Sequence, residues 1–435
     1  MPGKVADMLA VWNENPPFKG FATEKAALLL SIISTHQRKD DNGNIYCQLK
    51  MEYLRNIIWH AEDYIQLFIK TGVIRRIPGF VPKKQAYRYQ FTPAFQSPYI
   101  THKLENPKLL RKIREADTKK GRIETRFYPK QKQQLKTMTI NYDAAIELAK
   151  KEFPDNIIKC NFAIGQATRI QNKEFYLVKD ESGHRVHTPL SNLVKSLRSE
   201  IQIEGQYLSG LDIGNSQLYF SIKFLLDPES VKDFFPSQFP LMMAKSLRLS
   251  QQQDVIRFVL LVTKAQFYKF METEFLKAGL IYGDNLKRKI FTILFEKNHL
   301  TSKAKRIFQK HFPNVDKAFS ILRMVNYTDF VNCLTRLESF AVNDLIIARL
   351  NKEYPEMVAQ QIYDNLVTSI VTNDIKTASK VMTEELIRFV GFAPVLRIEN
   401  FRPTTLFDSN LTLNNSKVRE GREGVPYDGG NLVIN

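Results

Sequence analysis

The sequence predicts an α+β chain of several domains: an N-terminal winged helix-turn-helix, then a larger core of mixed helices and strands. Three observations predict it. The chain has 435 residues, more than one domain usually holds, and its 43% hydrophobic content is enough for packed cores. Three apolar helical stretches and a basic hairpin fill residues 20–95. Residues 142–401 mix helical and strand-like segments without an internal repeat.

Residues 1–19 read as an N-terminal tail. Ala22–Thr35, Leu49–Trp59 and Ala61–Thr71 read as helices, with Gly72 closing the third. Val73–Ile77 and Ala86–Phe91 read as strands separated by Pro78-Gly79. The run from Tyr64 to Ile74 has the pattern of a recognition helix entering a wing. Arg75, Arg76, Lys83, Lys84 and Arg88 would place positive charge there, suited to the phosphates of duplex DNA. A winged helix used only for protein contacts is the alternative. Residues 96–141 are strongly basic with little apolar periodicity, and read as a linker or arm. Residues 402–435 are rich in Asn, Thr, Ser and Gly, and read as a flexible C-terminal tail.

Charge narrows the partners. Sixty-three Lys and Arg oppose 45 Asp and Glu, a net +18. Such an excess suits a polyanion, because each neutralised phosphate releases counterions. Nucleic acid is the first choice and a membrane surface the second. Cys47, Cys160 and Cys333 lie far apart, without a CxxC pair or metal-ligand spacing, which argues against structural zinc and against a secreted disulfide scaffold. The N-terminus lacks the apolar stretch of a signal peptide, and runs such as Ala26–Ile33 are too short to span a bilayer. An intracellular, cytoplasmic protein without membrane association is expected.

Three segments carry candidate chemistry. In Gly205–Gln217 an apolar strand ends in Asp212, followed by a small polar turn and an apolar helix. In Asp284–Phe295, Lys287, Phe291 and Phe295 recur every four residues and share a helical face. A cation followed by two rings can hold a triphosphate, a sugar and a base. Gln360–Thr368 reads as strand, turn and strand, with Asp364 in the turn, and an amphipathic helix follows, closed by Gly391. Nucleotidyl transfer gives these pieces a reason to occur together. It uses two divalent ions about 3.5–4 Å apart, clamped by carboxylates from distant strands. A cation offsets charge on the leaving group.

In this order the segments resemble the core shared by family A DNA polymerases and single-subunit, phage-type RNA polymerases, over residues 180–401. The resemblance implies a right-hand polymerase, with an antiparallel palm sheet and helical fingers. Asp212 resembles the aspartate of motif A, with Ile213 offering its carbonyl to metal. Lys287, Phe291 and Phe295 resemble motif B, and Asp364 resembles the aspartate of motif C. Gly183–Leu193 resembles the stretch whose Arg185 and Asn192 would meet template or primer, and Arg198 resembles the arginine preceding motif A. Leu337-Glu338-Ser339 resembles the segment between motifs B and C, placing Glu338 near the site with Tyr363. Lys264, within Thr263–Tyr268, is the candidate for a further triphosphate contact. Gly283 stands where the family has arginine, Tyr363 where it has histidine, and Asn365 where an acid or serine is usual.

The implied cofactor is a pair of Mg²⁺ ions, with Mn²⁺ the alternative. The implied partners are a primed template and nucleoside triphosphates. Gln217 would crowd a ribose 2′-hydroxyl, and Phe295 lacks a phenol that could bond one, so deoxynucleotides are favoured. No segment resembles a proofreading exonuclease. A winged helix before a compact polymerase suits a phage, plasmid or mobile element. Two rival readings stand: a phage-type RNA polymerase, and a non-enzymatic winged-helix replication initiator in which Asp212 caps a helix and Asp364 is a turn residue.

Overall fold

The structure is a computed structural model. It describes residues 1–39, 45–78, 86–97, 100, 102, 104–118, 122–123, 128–295, 302–402 and 432–434. The chain divides into two units: Met1–Arg122 with Asp143–Thr168, and Ile123–Tyr142 with Arg169–Asn435.

In the first unit, helices Thr23–Thr35, Met51–Ile57 and Ala61–Lys70 lie close to the expected spans. An earlier helix, Gly3–Glu14, replaces the expected tail: Val5, Leu9 and Trp12 recur on one face and are buried. Trp12 stacks on Phe68, with ring centroids 6.0 Å apart. Each such buried side chain contributes roughly 1.5–3 kcal/mol. Four antiparallel strands follow the order Gln37–Lys39, Ile45–Leu49, Tyr87–Phe91, Ile74–Ile77. The first two of these strands were not anticipated.

The second unit is built on an antiparallel sheet in the order Gln360–Ile362, Asn365–Ser369, Gln206–Ile213, Leu396–Phe401, Leu432–Ile434. The last strand is the described part of the expected C-terminal tail; residues 403–431 and 435 lie outside the described residues. Alternation along Gln206–Ile213 decides what faces what. Leu211 lies opposite Leu366 and Ile398, and Ile213 opposite Leu396, so all of these share one face. That face meets the main core, which holds helices Ser216–Leu226 and Thr372–Val390. Gly210 and Asp212 point the other way, with Asn365, Arg397 and Glu399 beside them.

Between the Asp212 and Asp364 strands the chain makes helices Gln253–Thr263, Phe267–Lys277, Leu286–Phe295, Lys303–His311 and Pro313–Leu322. Edge-to-face contacts join Phe258 to Phe267, Phe312 and Phe319 at their centre. The division between units departs from the boundary expected at residue 142. Helix Pro129–Thr137 belongs to the larger unit because its buried amides engage that unit. Gln131 donates to Asn343 at 3.2 Å, and Gln134 to the Met357 carbonyl at 2.9 Å. Residues Asp143–Thr168 go with the smaller unit.

Candidate active site

Asp212 is the penultimate residue of the central strand and pairs in register with Asn365 on one side and Arg397 on the other. Asp364 precedes Asn365 in a two-residue hairpin whose flanking residues, Ile362 and Asn365, are paired. Tyr363 opens this turn at φ +57°. A left-handed aromatic residue costs energy, and such strain clusters at functional sites. The turn is held from below: Gln361 donates to the Tyr363 carbonyl, and Asn343 donates to Gln361.

The two aspartates share one electrostatic site. Burial pushes the Asp212 carboxyl up to about 7, and the charges of Asp364 and then Glu399 add to the rise, while Arg397 and Lys287 oppose it. Asp364 is also raised, by burial first, against lowering by its own backbone hydrogen bond, Lys287 and Arg185. Both carboxylates are held above their ordinary range by burial and by the charge of Glu399, with Asp364 adding to the rise at Asp212, which marks a site short of positive charge.

Lys287 sits on helix Leu286–Phe295, with its ammonium exposed and felt by both aspartates. Phe291 and Phe295 stack, centroids 5.7 Å apart and 14° from parallel. Phe295 also leans on Phe330 at 5.9 Å, so it is tied to the core.

Arg185 is presented by a short hairpin. Asp180 accepts from the Gly183 and Arg185 amides at 2.7 and 3.1 Å. Gly183 is required there, since a Cβ would stand 2.7 Å from Thr335 Cγ2. The Arg185 guanidinium donates to Glu338 at 3.1 Å and lies 5.1 Å from the Tyr363 ring centre. Glu338 is 1% exposed and also accepts from Ser216 Oγ at 2.7 Å. Burial raises its carboxyl, and Asp364 raises it further. Buried there, it holds the Arg185 guanidinium in place.

Asn192 donates to the Tyr176 hydroxyl at 2.6 Å. Arg198 lies over Phe401 at 5.7 Å, and burial lowers it from the ordinary arginine value against the charges of Glu399 and Tyr363. Gln217 is half-buried in the first turn of helix Ser216–Leu226, and Ile213 ends the strand with its side chain in the core. Lys264 is exposed at the end of its helix. In the first unit Arg75 and Arg88 share one face of the sheet, while Arg76 lies on the other. Lys83 and Lys84 lie outside the described residues.

Three participants were not singled out from the sequence. Arg397 and Glu399 alternate on strand Leu396–Phe401, and their facing depends on register, which sequence does not display. Tyr268 lay within the Thr263–Tyr268 segment, where charge drew attention to Lys264. Its hydroxyl is buried without a hydrogen-bond partner among the described residues, and it is influenced by Arg397 and Asp364. Arg185 Nε, Arg198 Nε, Asn215 Nδ2 and Asn365 Oδ1 are likewise buried and unpartnered there. Native proteins leave few such groups, and a concentration of them beside an acidic pair is where a ligand is expected.

Among the described residues no three His, Cys, Asp or Glu side chains form a metal-holding group. The donors present are two carboxylates, backbone carbonyls and an unpartnered amide oxygen, all hard oxygen. That set fits Mg²⁺, which binds through one or two carboxylates and completes its shell with water and phosphate.

No family model matches the chain, and no curated protein matches it. Among solved structures, 62 chains match. One is the POL domain of Pol1 from M. smegmatis in complex with DNA primer-template and dNTP, at 8% identity and a TM-score of 0.28. The match covers 59% of this chain and 55% of that one, so this chain spans little more than half its length. Nothing about the chemistry follows from so loose a superposition. No described helix is long and apolar enough to cross a membrane.

Proposed function

We propose that this chain catalyses template-directed nucleotidyl transfer by a two-metal mechanism, as a DNA polymerase without proofreading, of a phage, plasmid or mobile element. One observation carries the reading. The charge of Asp364, in the hairpin of the neighbouring strand, raises Asp212 on the central strand, and Lys287 on a separate helix lowers both. Two acids and a cation from three distant segments are what phosphoryl chemistry requires of a protein.

Asp212, Asp364 and the Ile213 carbonyl would hold Mg²⁺. When bound, the ions activate the primer hydroxyl and neutralise charge on the reacting phosphate. In the reaction, the primer oxygen bonds to the α-phosphorus as the bond to pyrophosphate breaks. Lys287 offsets the charge that gathers on the pyrophosphate. Phe291 offers a ring to the incoming nucleotide, and Phe295 backs it. Arg185, fixed by Glu338 and Tyr363, meets the primer–template backbone or minor groove. Asn192 and Arg198 extend that surface. Tyr268 donates its unpartnered hydroxyl to the nucleotide. Gln217 and Phe295 favour deoxynucleotides. The helix and strand order of the N-terminal unit supports reading it as a winged helix that brings nucleic acid to the enzyme.

Primer extension with Mg²⁺ tests this. Asp212→Ala and Asp364→Ala are each expected to lower incorporation roughly a hundredfold or more while primed template still binds. Absence of incorporation by the wild type on any primed template, with Mg²⁺ or Mn²⁺ and with deoxy- or ribonucleotides, overturns it. A strong preference for ribonucleotides overturns the reading of Gln217 and Phe295.

A further inference from the structure

The four-stranded sheet of the N-terminal unit has one packed face and one open face. Register and alternation put Cys47, Leu49, Ile74, Tyr89 and Phe91 on the packed face, all buried, together with half-buried Tyr87 and exposed Arg76. The open face carries Tyr46, Gln48, Arg75, Ile77, Arg88 and Gln90, each exposed or half-buried. None of these six is acidic. The Arg88 guanidinium lies over the Tyr46 ring, 4.6 Å from its centre, a cation–π pair on this face. Arg75 donates to Gln90 Oε1 through Nε at 3.0 Å and Nη2 at 2.8 Å, which fixes its plane against the sheet.

The neighbouring helix offers the opposite charge. Ala61–Lys70 carries Glu62 and Asp63 in its first turn, with Asp63 exposed and Glu62 engaged by Arg55. A recognition helix leads into the major groove with its N-terminal residues. Asp63, exposed at that end beside His60, would face the phosphates of a groove unfavourably.

We infer that the open face of this sheet binds single-stranded nucleic acid, with bases stacked on the Tyr46–Arg88 pair and Arg75 meeting a backbone phosphate. Stacking planes need unpaired bases, which a duplex hides. Among the described side chains of this face the only charges are arginines, so binding falls with salt. The inference does not rest on the polymerase reading, since its residues lie outside the acidic site.

The test uses the full chain. UV crosslinking of an oligothymidine with peptide mapping is expected to mark Tyr46. In titrations, Tyr46→Ala with Arg88→Ala is expected to weaken single-strand affinity roughly tenfold. Tyr46→Phe, which keeps the ring, should retain affinity, and this controls for misfolding. Gln66→Ala and Asp63→Asn on the helix should leave single-strand binding unchanged. Crosslinks confined to Ala61–Lys70, unchanged affinity in the double variant, or tighter binding to duplex than to single strand through the helix would each overturn the inference. A chain that binds the oligothymidine but extends no primer leaves this inference standing and removes the enzymatic one.

Discussion

A phenol hydroxyl buried without a partner costs about 1–3 kcal/mol, and Tyr268 bears that cost beside Asp364 and Arg397. If a nucleotide supplies the missing acceptor, the cost is recovered only in the complex. Tyr268→Phe keeps the ring and removes the orphan. The unliganded variant is expected to melt no lower than wild type, while KM for the nucleotide rises roughly three- to tenfold with little change in kcat. A lower melting temperature with unchanged KM would mean that the hydroxyl serves the fold instead. This residue also shows what sequence withholds. Asp212 and Asp364 stand out as acids ending or turning apolar strands, and Lys287 by its spacing to two rings. Tyr268 is distinguished by its buried hydroxyl, and the burial of that atom is decided by packing from segments far along the chain.

Glycine at 210 is explained by its neighbour across the sheet. A Cβ there would stand 2.6 Å from both Nδ2 and Oδ1 of Asn365. The gap lets Asn365 lie over the central strand and reach Glu399 at 3.4 Å, so one missing side chain links three strands. Gly210→Ala is expected to lower stability by roughly 1–3 kcal/mol and to reduce incorporation by displacing Asn365 beside Asp364. Asn365→Ala on that background should restore part of the stability, and calorimetry of the two single variants and the double would show a coupling that independent sites lack. Additive losses would sink the explanation. Elements were unevenly legible. The Gln360–Ser369 hairpin and the Gly391-capped helix show in the sequence because alternation, turn residues and a left-handed glycine are local signals. Helix Gly3–Glu14 escaped because its three buried residues are diluted by small and charged ones. The π-helical stretch Ala341–Ile347, which carries Asn343 toward the Asp364 hairpin, has no local signature at all.

At the scale of the whole molecule, the acidic site sets function against stability. Asp212 rises from 3.8 to about 7 on folding. The folded chain therefore keeps a proton that the unfolded chain releases once pH exceeds its own value. Stability from this group is present below that value, is lost as pH climbs through the window between the two, and stays lost above it. Asp364 is shifted in the same direction and adds to the slope. With divalent ions chelated, stability is expected to fall by on the order of 2 kcal/mol between about pH 4 and about pH 7, after allowance for partial exposure, and the melting temperature falls with it. Asp212→Asn cannot ionise and should flatten that fall, melting above wild type at the alkaline end. Added Mg²⁺ should stabilise the wild type more at high pH than at low, because it binds the ionised pair, and should do little for the variant. Calorimetry across pH, with and without the ion, reads all three effects. Parallel curves for wild type and Asp212→Asn would show that the carboxyl ionises as freely in the fold as outside it, and the paired-acid geometry would lose its physical basis.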